Sequence, residues 1–233
     1  MQFGSIHDQW HPQAISNLRT KLNLTEWLAI ANCTGMKDDP FYIDPDDPAG
    51  KKGILREGLR LFAENGLSAT SIRDIAAATG LTNPALYKHF KTKDDLARTL
   101  FERSYSELLK RLAIASRSKA EFPEKFRAFI EAYAGFFDED PNAAMFTTDN
   151  LATLWPQVSD RLRNRTVITV LRELLEEGRT SELVNKEEDL DLQLSLVIGM
   201  LGQLSRQLYL RSIPGPASRF VDGVDRILRA GLT

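Results

Sequence analysis

Apolar positions recur at three- and four-residue intervals along most of this chain and nowhere alternate as a half-buried strand would. Near the start, Ile15, Leu18 and Leu22 predict a short amphipathic helix over 13–22, and Thr25 is placed to cap a second carrying Trp27, Leu28 and Ala31. The run 37–50, KDDPFYIDPDDPAG, breaks the rhythm with five aspartates and three prolines and reads as a linker or irregular loop. Its D-x-D-D fragment from Asp44 lacks the glycine and distal glutamate of a calcium loop and reads as a solvated acidic turn. Periodicity then returns. Ile54, Leu55, Gly58, Leu59 and Phe62 make one apolar helix face, closed by Gly66. Ser71 and Asp74 form an S-x-x-D capping box for a second helix with Ile72, Ile75 and Ala76 inward, ended by Thr79-Gly80. A short third helix, 84–90, is expected to start with Asn83 as cap and Pro84 at the first position. Thr92 and Asp95 suggest another capping box, before a long helix over 94–117 with Leu96, Leu100, Leu108 and Leu112 inside. Further helices are predicted at 122–138, 142–155, 157–178, 187–211 and 217–231, separated by breaks rich in proline and glycine. The fold class is all-α.

Composition narrows the chemistry. With 233 residues and 42% hydrophobic content, the chain is long enough for a sizeable core in one or two domains. No run approaches a membrane span and no signal-like segment opens the chain, so no membrane partner is expected. The single cysteine, Cys33, excludes an intramolecular disulfide and fits a reducing cytoplasm. Histidines occur only at His7, His11 and His89, which offers no zinc-ligand spacing, and no metal or cofactor is expected. Nucleophile elbows, H-E-x-x-H and phosphate-binding glycine loops are absent, so the chain names no catalytic residues and does not read as an enzyme. The net charge of −2 is unevenly spread. Residues 51–93 hold eight basic and three acidic side chains, a balance of +5, which leaves −7 for the rest. A basic segment on an acidic remainder suits a protein that meets phosphates at one end.

Three short helices with a tight turn between the last two are the grammar of a helix-turn-helix, whose second helix enters the DNA major groove. The runs L-F-A-E-N-G, T-S-I-R-D-I-A-A-A-T-G-L-T and A-L-Y-K-H-F-K-T-K-D-D-L resemble the N-terminal domain of the tetracycline-repressor (TetR) family of bacterial regulators over some fifty consecutive residues. Pro84 departs from the pattern, since the family more often has Gly or Ala there. The resemblance implies a helix-turn-helix domain at 51–93 and a helical ligand-binding and dimerisation domain at 94–233. Residues 1–50 are left as an extension of extra helices and acidic linker.

For DNA contact, Thr70 or Ser71 offers a hydroxyl and free N–H groups at a helix start, an anion site by geometry. The resemblance assigns Tyr87, His89 and Lys93 to the phosphate backbone, with packing against the domain core as the alternative for His89. Thr82, Asn83, Ala85 and Lys88 are expected to face the groove, Lys88 reading guanine and Ala85 touching a thymine methyl. The resemblance also implies a homodimer on a palindromic double-stranded DNA operator, with its two heads about 34–36 Å apart. Its interface would come from the last two helices. Ser195, Gly199 and Gly202 are small enough for close approach, and Phe220, Val224, Ile227 and Gly231 run along one seam. The helix over 190–210 is apolar almost all round and is expected to be buried on both faces. Phe126, Phe129, Tyr133, Phe136, Phe146 and Trp155, with Asn150 as a polar partner, are either plain core or the lining of a pocket for a small apolar or amphipathic effector.

The leading functional expectation is a ligand-responsive transcriptional regulator, most often a repressor. The alternatives are a DNA-binding structural protein without an effector, and an interaction module that has lost DNA affinity. The apolar side chains between Ile15 and Ile30 predict that the N-terminal helices dock on a protein surface, against the alternative of a loose arm.

Overall fold

The computed structural model describes residues 39–117 and 121–233. The helices predicted within 13–31 and their docking, together with Cys33, His7 and His11, fall outside the described residues. Pro40–Thr233 form one compact unit.

Among the described residues the elements are helical, as the periodicity predicts. Helix α1 is Ala49–Asn65, α2 Ile72–Thr79, α3 Asn83–Tyr87 and α4 Lys93–Ser116. They are followed by α5 at Phe122–Glu139, α6 at Pro141–Asp149 and α7 at Leu151–Leu154. A 3-10 turn at Trp155–Gln157 leads to α8, Asp160–Arg163, and α9, Val167–Thr180. The chain closes with α10, Leu190–Tyr209, a 3-10 turn at Ala217–Phe220, and α11, Val221–Leu232.

Two of the expected long helices are each broken in two. The run 142–155 stops at Asn150, whose side-chain amide and backbone N–H both donate to the Phe146 carbonyl and satisfy it locally. The run 157–178 restarts at Thr166, where a Thr166/Thr169 capping box opens α9. Gly178, expected as a break, lies inside α9 instead. A Cβ there would come within 2.6 Å of Val184 and 2.7 Å of Phe122, so the position is closed to any larger residue. Gly178→Ala is expected to cost about 1–3 kcal/mol through overpacking, read as a lower urea midpoint at unchanged slope.

The hydrophobic interior forms two clusters divided along α4. One gathers α1, α2, α3 and the first half of α4 as far as Tyr105, and extends to Phe146, Leu154, Val158 and Leu162. The other holds Leu108 and Leu112 with α5, α9, α10 and α11. Helix α4 is therefore shared between an N-terminal head and a helical body, and the change of core falls inside it rather than at its start. Phe146 stacks on Phe62 with ring centroids 5.7 Å apart, seating α6 on α1.

Candidate nucleic-acid interface

In the head, side-chain caps open α2, α3 and α4. Ser71 accepts from the Asp74 N–H while the Asp74 carboxylate accepts from the Ser71 N–H at 2.8 Å, completing the expected box. Those bonds hold the Asp74 carboxyl below its ordinary range. Gly80 closes α2 at φ 68°, a left-handed conformation that glycine adopts without strain, and sets the turn into α3. Thr82, rather than Asn83, caps α3, its hydroxyl accepting from the Ala85 N–H at 3.4 Å. Asn83 becomes the first helical residue and Pro84 the second, where its missing N–H leaves no bond unmade. Thr92 caps α4 by accepting from the Asp95 N–H. The Asp95 carboxylate accepts from the Lys91 N–H instead of closing a box.

Leu86 and Phe90 are buried and fasten α3 to the head, which leaves its other side outward. Thr82, Tyr87 and Lys88 are exposed there, the Tyr87 ring to 50%, and Asn83 and Ala85 are half-buried beside them. A concavity of about 740 Å³ opens along this side, lined by residues from Ser68 to Arg73 with Asn83, Tyr87 and Lys93. Thr70, Ser71, Asn83, Tyr87 and Lys93 thus lie together around one concavity.

Two of them play different parts from those expected. Thr70 is 2% exposed, and its hydroxyl donates to the Leu61 and Gly66 carbonyls at 3.1 and 2.9 Å, so it fastens the α1–α2 loop and is not available to a phosphate. Lys93 donates to the Leu67 and Thr70 carbonyls at 2.8 and 3.0 Å, closing the same loop from the other side. Its ammonium supports the wall of the concavity before it meets any DNA. Lys93→Met should therefore lower the stability of the head by about 1.5–3 kcal/mol, the range for hydrogen bonds to a charged group, besides weakening DNA binding. Thermal melting without DNA checks it. His89 is half-buried with Nε2 3.2 Å from where a Cβ on Gly50 would lie, so it packs against the first turn of α1, the alternative reading of that residue.

Arg73, at the second position of α2, lines the concavity, and Lys91 is exposed just beyond α3. Neither has an ion-pair partner among the described residues, unlike Lys51 and Arg60, which pair with Asp47 and with Glu57 and Glu64. Arg73 and Lys91 belong with the candidate contact set and were missed by motif reasoning. Their signal was the surplus of unpaired positive charge around α2 and α3.

In the body, α10 is buried on one face only. Leu192 is 67% exposed, and Leu196, Ile198, Ser195 and Gly199 lie open beside it. Ile227 (56% exposed) and Gly231 of α11 extend the same apolar surface, and Leu196 rests against Gly231. Gly202 is at its edge, half-buried. Val224 is 4% exposed and Phe220 packs against the body core, so these two expected interface residues face inward. Only the second half of the expected α11 seam, Ile227 and Gly231, faces outward.

Most of the aromatic set is packed into the interior. Phe126, Phe129 and Phe136 fill the body cluster, Phe146 sits under Phe62, and Trp155 leans on Tyr105. Asn150 is spent on α6. Tyr133 lines a void of about 10 Å³ between α5, α10 and α11, where its hydroxyl accepts from Ser205 at 3.4 Å. Such a void has room for about one water molecule.

Fold and site together define a helix-turn-helix head on a helical body. Residues 54–100 match the family described as bacterial regulatory proteins, tetR family. Over 58 residues, 25% of this chain and 27% of the relative, the sequence is 45% identical to the HTH-type transcriptional regulator AcrR of Shigella flexneri. Matches to the first curated relatives span between 27% and 50% of the relatives' own lengths. The TetR family transcriptional regulator PfmR of Thermus thermophilus is 29% identical with a TM-score of 0.66, covering 77% of this chain and 98% of that one. The regulator FadR of Bacillus subtilis in complex with stearoyl-CoA shares the fold at 20% identity and a TM-score of 0.61, covering 78% and 98%. Residues 54–100 carry the N-terminal domain of the TetR family, and the described residues have the fold of a TetR family transcriptional regulator. Among the described residues no helix is long and apolar enough to cross a membrane.

Proposed function

We propose that this protein is a dimeric, sequence-specific DNA-binding regulator, acting as a repressor whose hold on a palindromic operator is released by an apolar or amphipathic effector. One observation carries the DNA reading: α3 is anchored by Leu86 while Thr82, Tyr87 and Lys88 face outward beside a concavity that also holds Ser71 and Arg73. In this reading α3 enters the major groove. Lys88 donates to guanine O6 and N7, and Tyr87, Arg73 and the first turn of α2 take the flanking phosphates. The open apolar face of α10 and α11 supports pairing with a second copy, which sets two heads on successive grooves.

Effector control is supported by the fatty-acid and stearoyl-CoA names carried by proteins of similar fold. The Tyr133–Ser205 void lies where α5, α10 and α11 would part to admit an acyl chain. Selection from a random duplex pool at moderate salt tests the DNA reading: a palindromic consensus is expected, and selected duplexes bound no better than random ones would overturn it. Lys88→Ala is expected to lose about 1–3 kcal/mol on the selected sequence and to relax preference at one base pair per half-site. Stearoyl-CoA should raise the melting temperature and release the duplex, and a ligand that does neither is excluded as the effector class.

A further inference from the structure

Residues 40–48, which precede α1, do not behave as a linker. Two consecutive turns fold them back on the protein, closed by Ile43 N–H to the Pro40 carbonyl at 2.8 Å and Asp47 N–H to the Asp44 carbonyl at 3.0 Å. Tyr42 and Ile43, each 4% exposed, enter the core of the head. The preceding residue reaches the other way. The Phe41 ring lies 5.0 Å from Phe136 of α5, and the Arg111 guanidinium sits over both rings, at 5.3 and 5.7 Å from their centroids. Arg111 is itself held by Glu107 and Glu139, so the ring is clamped between fixed groups of the body. Asp47 then ties Lys51 in the first turn of α1, at 2.7 Å, to Arg103 in α4. Arg103 also donates to the Tyr42 carbonyl at 3.1 Å. Burial opposes the charge on Asp47, but the hydrogen bonds from Arg103 and Lys51 outweigh it and hold the carboxyl well below the usual carboxylate range. Asp44 and Asp46 remain exposed, as a solvated turn predicts, while Asp47 has become an internal tie.

We propose that residues 40–48 are a strap that fixes the angle between head and body, so that rearrangement of α5 or the second half of α4 is passed to α1 through Phe41 and Asp47. The physical basis is continuity: one short segment contributes to both cores and bridges α4, a helix that the two cores share. The contacts are of kinds that hold in one geometry, a cation over an aromatic face and a carboxylate between two cations. The strap's consequence for DNA rests on the regulator reading, whereas its mechanical role is tested without DNA.

The test uses the full chain carrying Phe41→Ala or Asp47→Asn, with Asp44→Asn as a control that removes the same charge from the same segment without touching the ties. Hydrogen exchange by mass spectrometry is expected to show α1 and residues 93–105 exchanging roughly tenfold faster in both strap variants, with α9 and α10 unchanged and the control like the original chain. Unchanged exchange in α1, or acceleration spread evenly over every helix, would overturn the strap. On duplexes selected with the unaltered protein, affinity for the full palindrome should fall roughly tenfold while half-site affinity stays constant, because only the spacing of two heads is loosened. Equal losses on both duplexes would overturn the angle-fixing role. Failure of the unaltered protein to select any duplex would remove the regulator reading and leave the exchange result to decide the strap alone.

Discussion

Replacing Leu196 by glutamate is expected to leave a folded monomer that binds its operator about 10²–10⁴ times more weakly than the original protein. The magnitude is the advantage lost when two linked heads become independent. Leu196 sits on the outward face of α10, in line with Leu192 and Gly199 and against Gly231, with Ile227 close by on α11. Each large apolar side chain of this surface gains roughly 1.5–3 kcal/mol when a partner covers it, and a buried carboxylate in their midst would be left unpaired. The chain's own core should be untouched, since the site is already open in the single subunit. Sedimentation and helical circular dichroism check the two halves of the claim, and a variant that stays dimeric would refute this choice of surface. Val224→Glu is not the equivalent experiment. Val224 is buried within its own subunit, so a charge there should unfold the body whether or not the protein pairs.

Phe146→Ala should destabilise the protein by about 3–5 kcal/mol, the usual cost of deleting a buried aromatic ring. For a unit of this size that corresponds to a fall of roughly 6–20 °C in melting temperature. The ring is 1% exposed and stacks on Phe62, so its loss opens a cavity at the seam between α6 and α1. The outcome also separates two views of the aromatic set. A pocket residue would shift effector response at nearly constant stability, whereas a keystone of the head–body junction lowers stability with no effector present. Calorimetry on the ligand-free protein distinguishes them.

The reading head was legible because its signals are local. A Ser71/Asp74 box, a glycine able to take positive φ at Gly80, and apolar spacing through Ile54, Leu59, Ile75 and Leu86 each act within a few residues. The long helices α4 and α5 were legible for the same reason, with Thr92 and Pro123 at their starts, whereas α10 begins at Leu190, capped by Asp189, and not at residue 187. The cap on α3 was missed by one residue because Thr82 and Asn83 are both good caps, and only the turn geometry chooses between them.

The chain by itself therefore determined the helical class, the helix-turn-helix and the apolar character of the last two helices, all set by neighbours in sequence. Tertiary structure decided what each side chain spends its bonds on. Thr70 and Lys93 carry the chemistry of phosphate ligands, yet loop carbonyls engage both of them. Val224 and Ile227 are both apolar and three residues apart on α11, and only the packing of that helix on α5 turns the first inward and leaves the second open. An acidic, proline-rich run reads as solvated because its aspartates outnumber its aromatics. Phe41, Tyr42 and Asp47 nevertheless find Phe136, the core of the head and Arg103, partners far along the chain that no local pattern could announce.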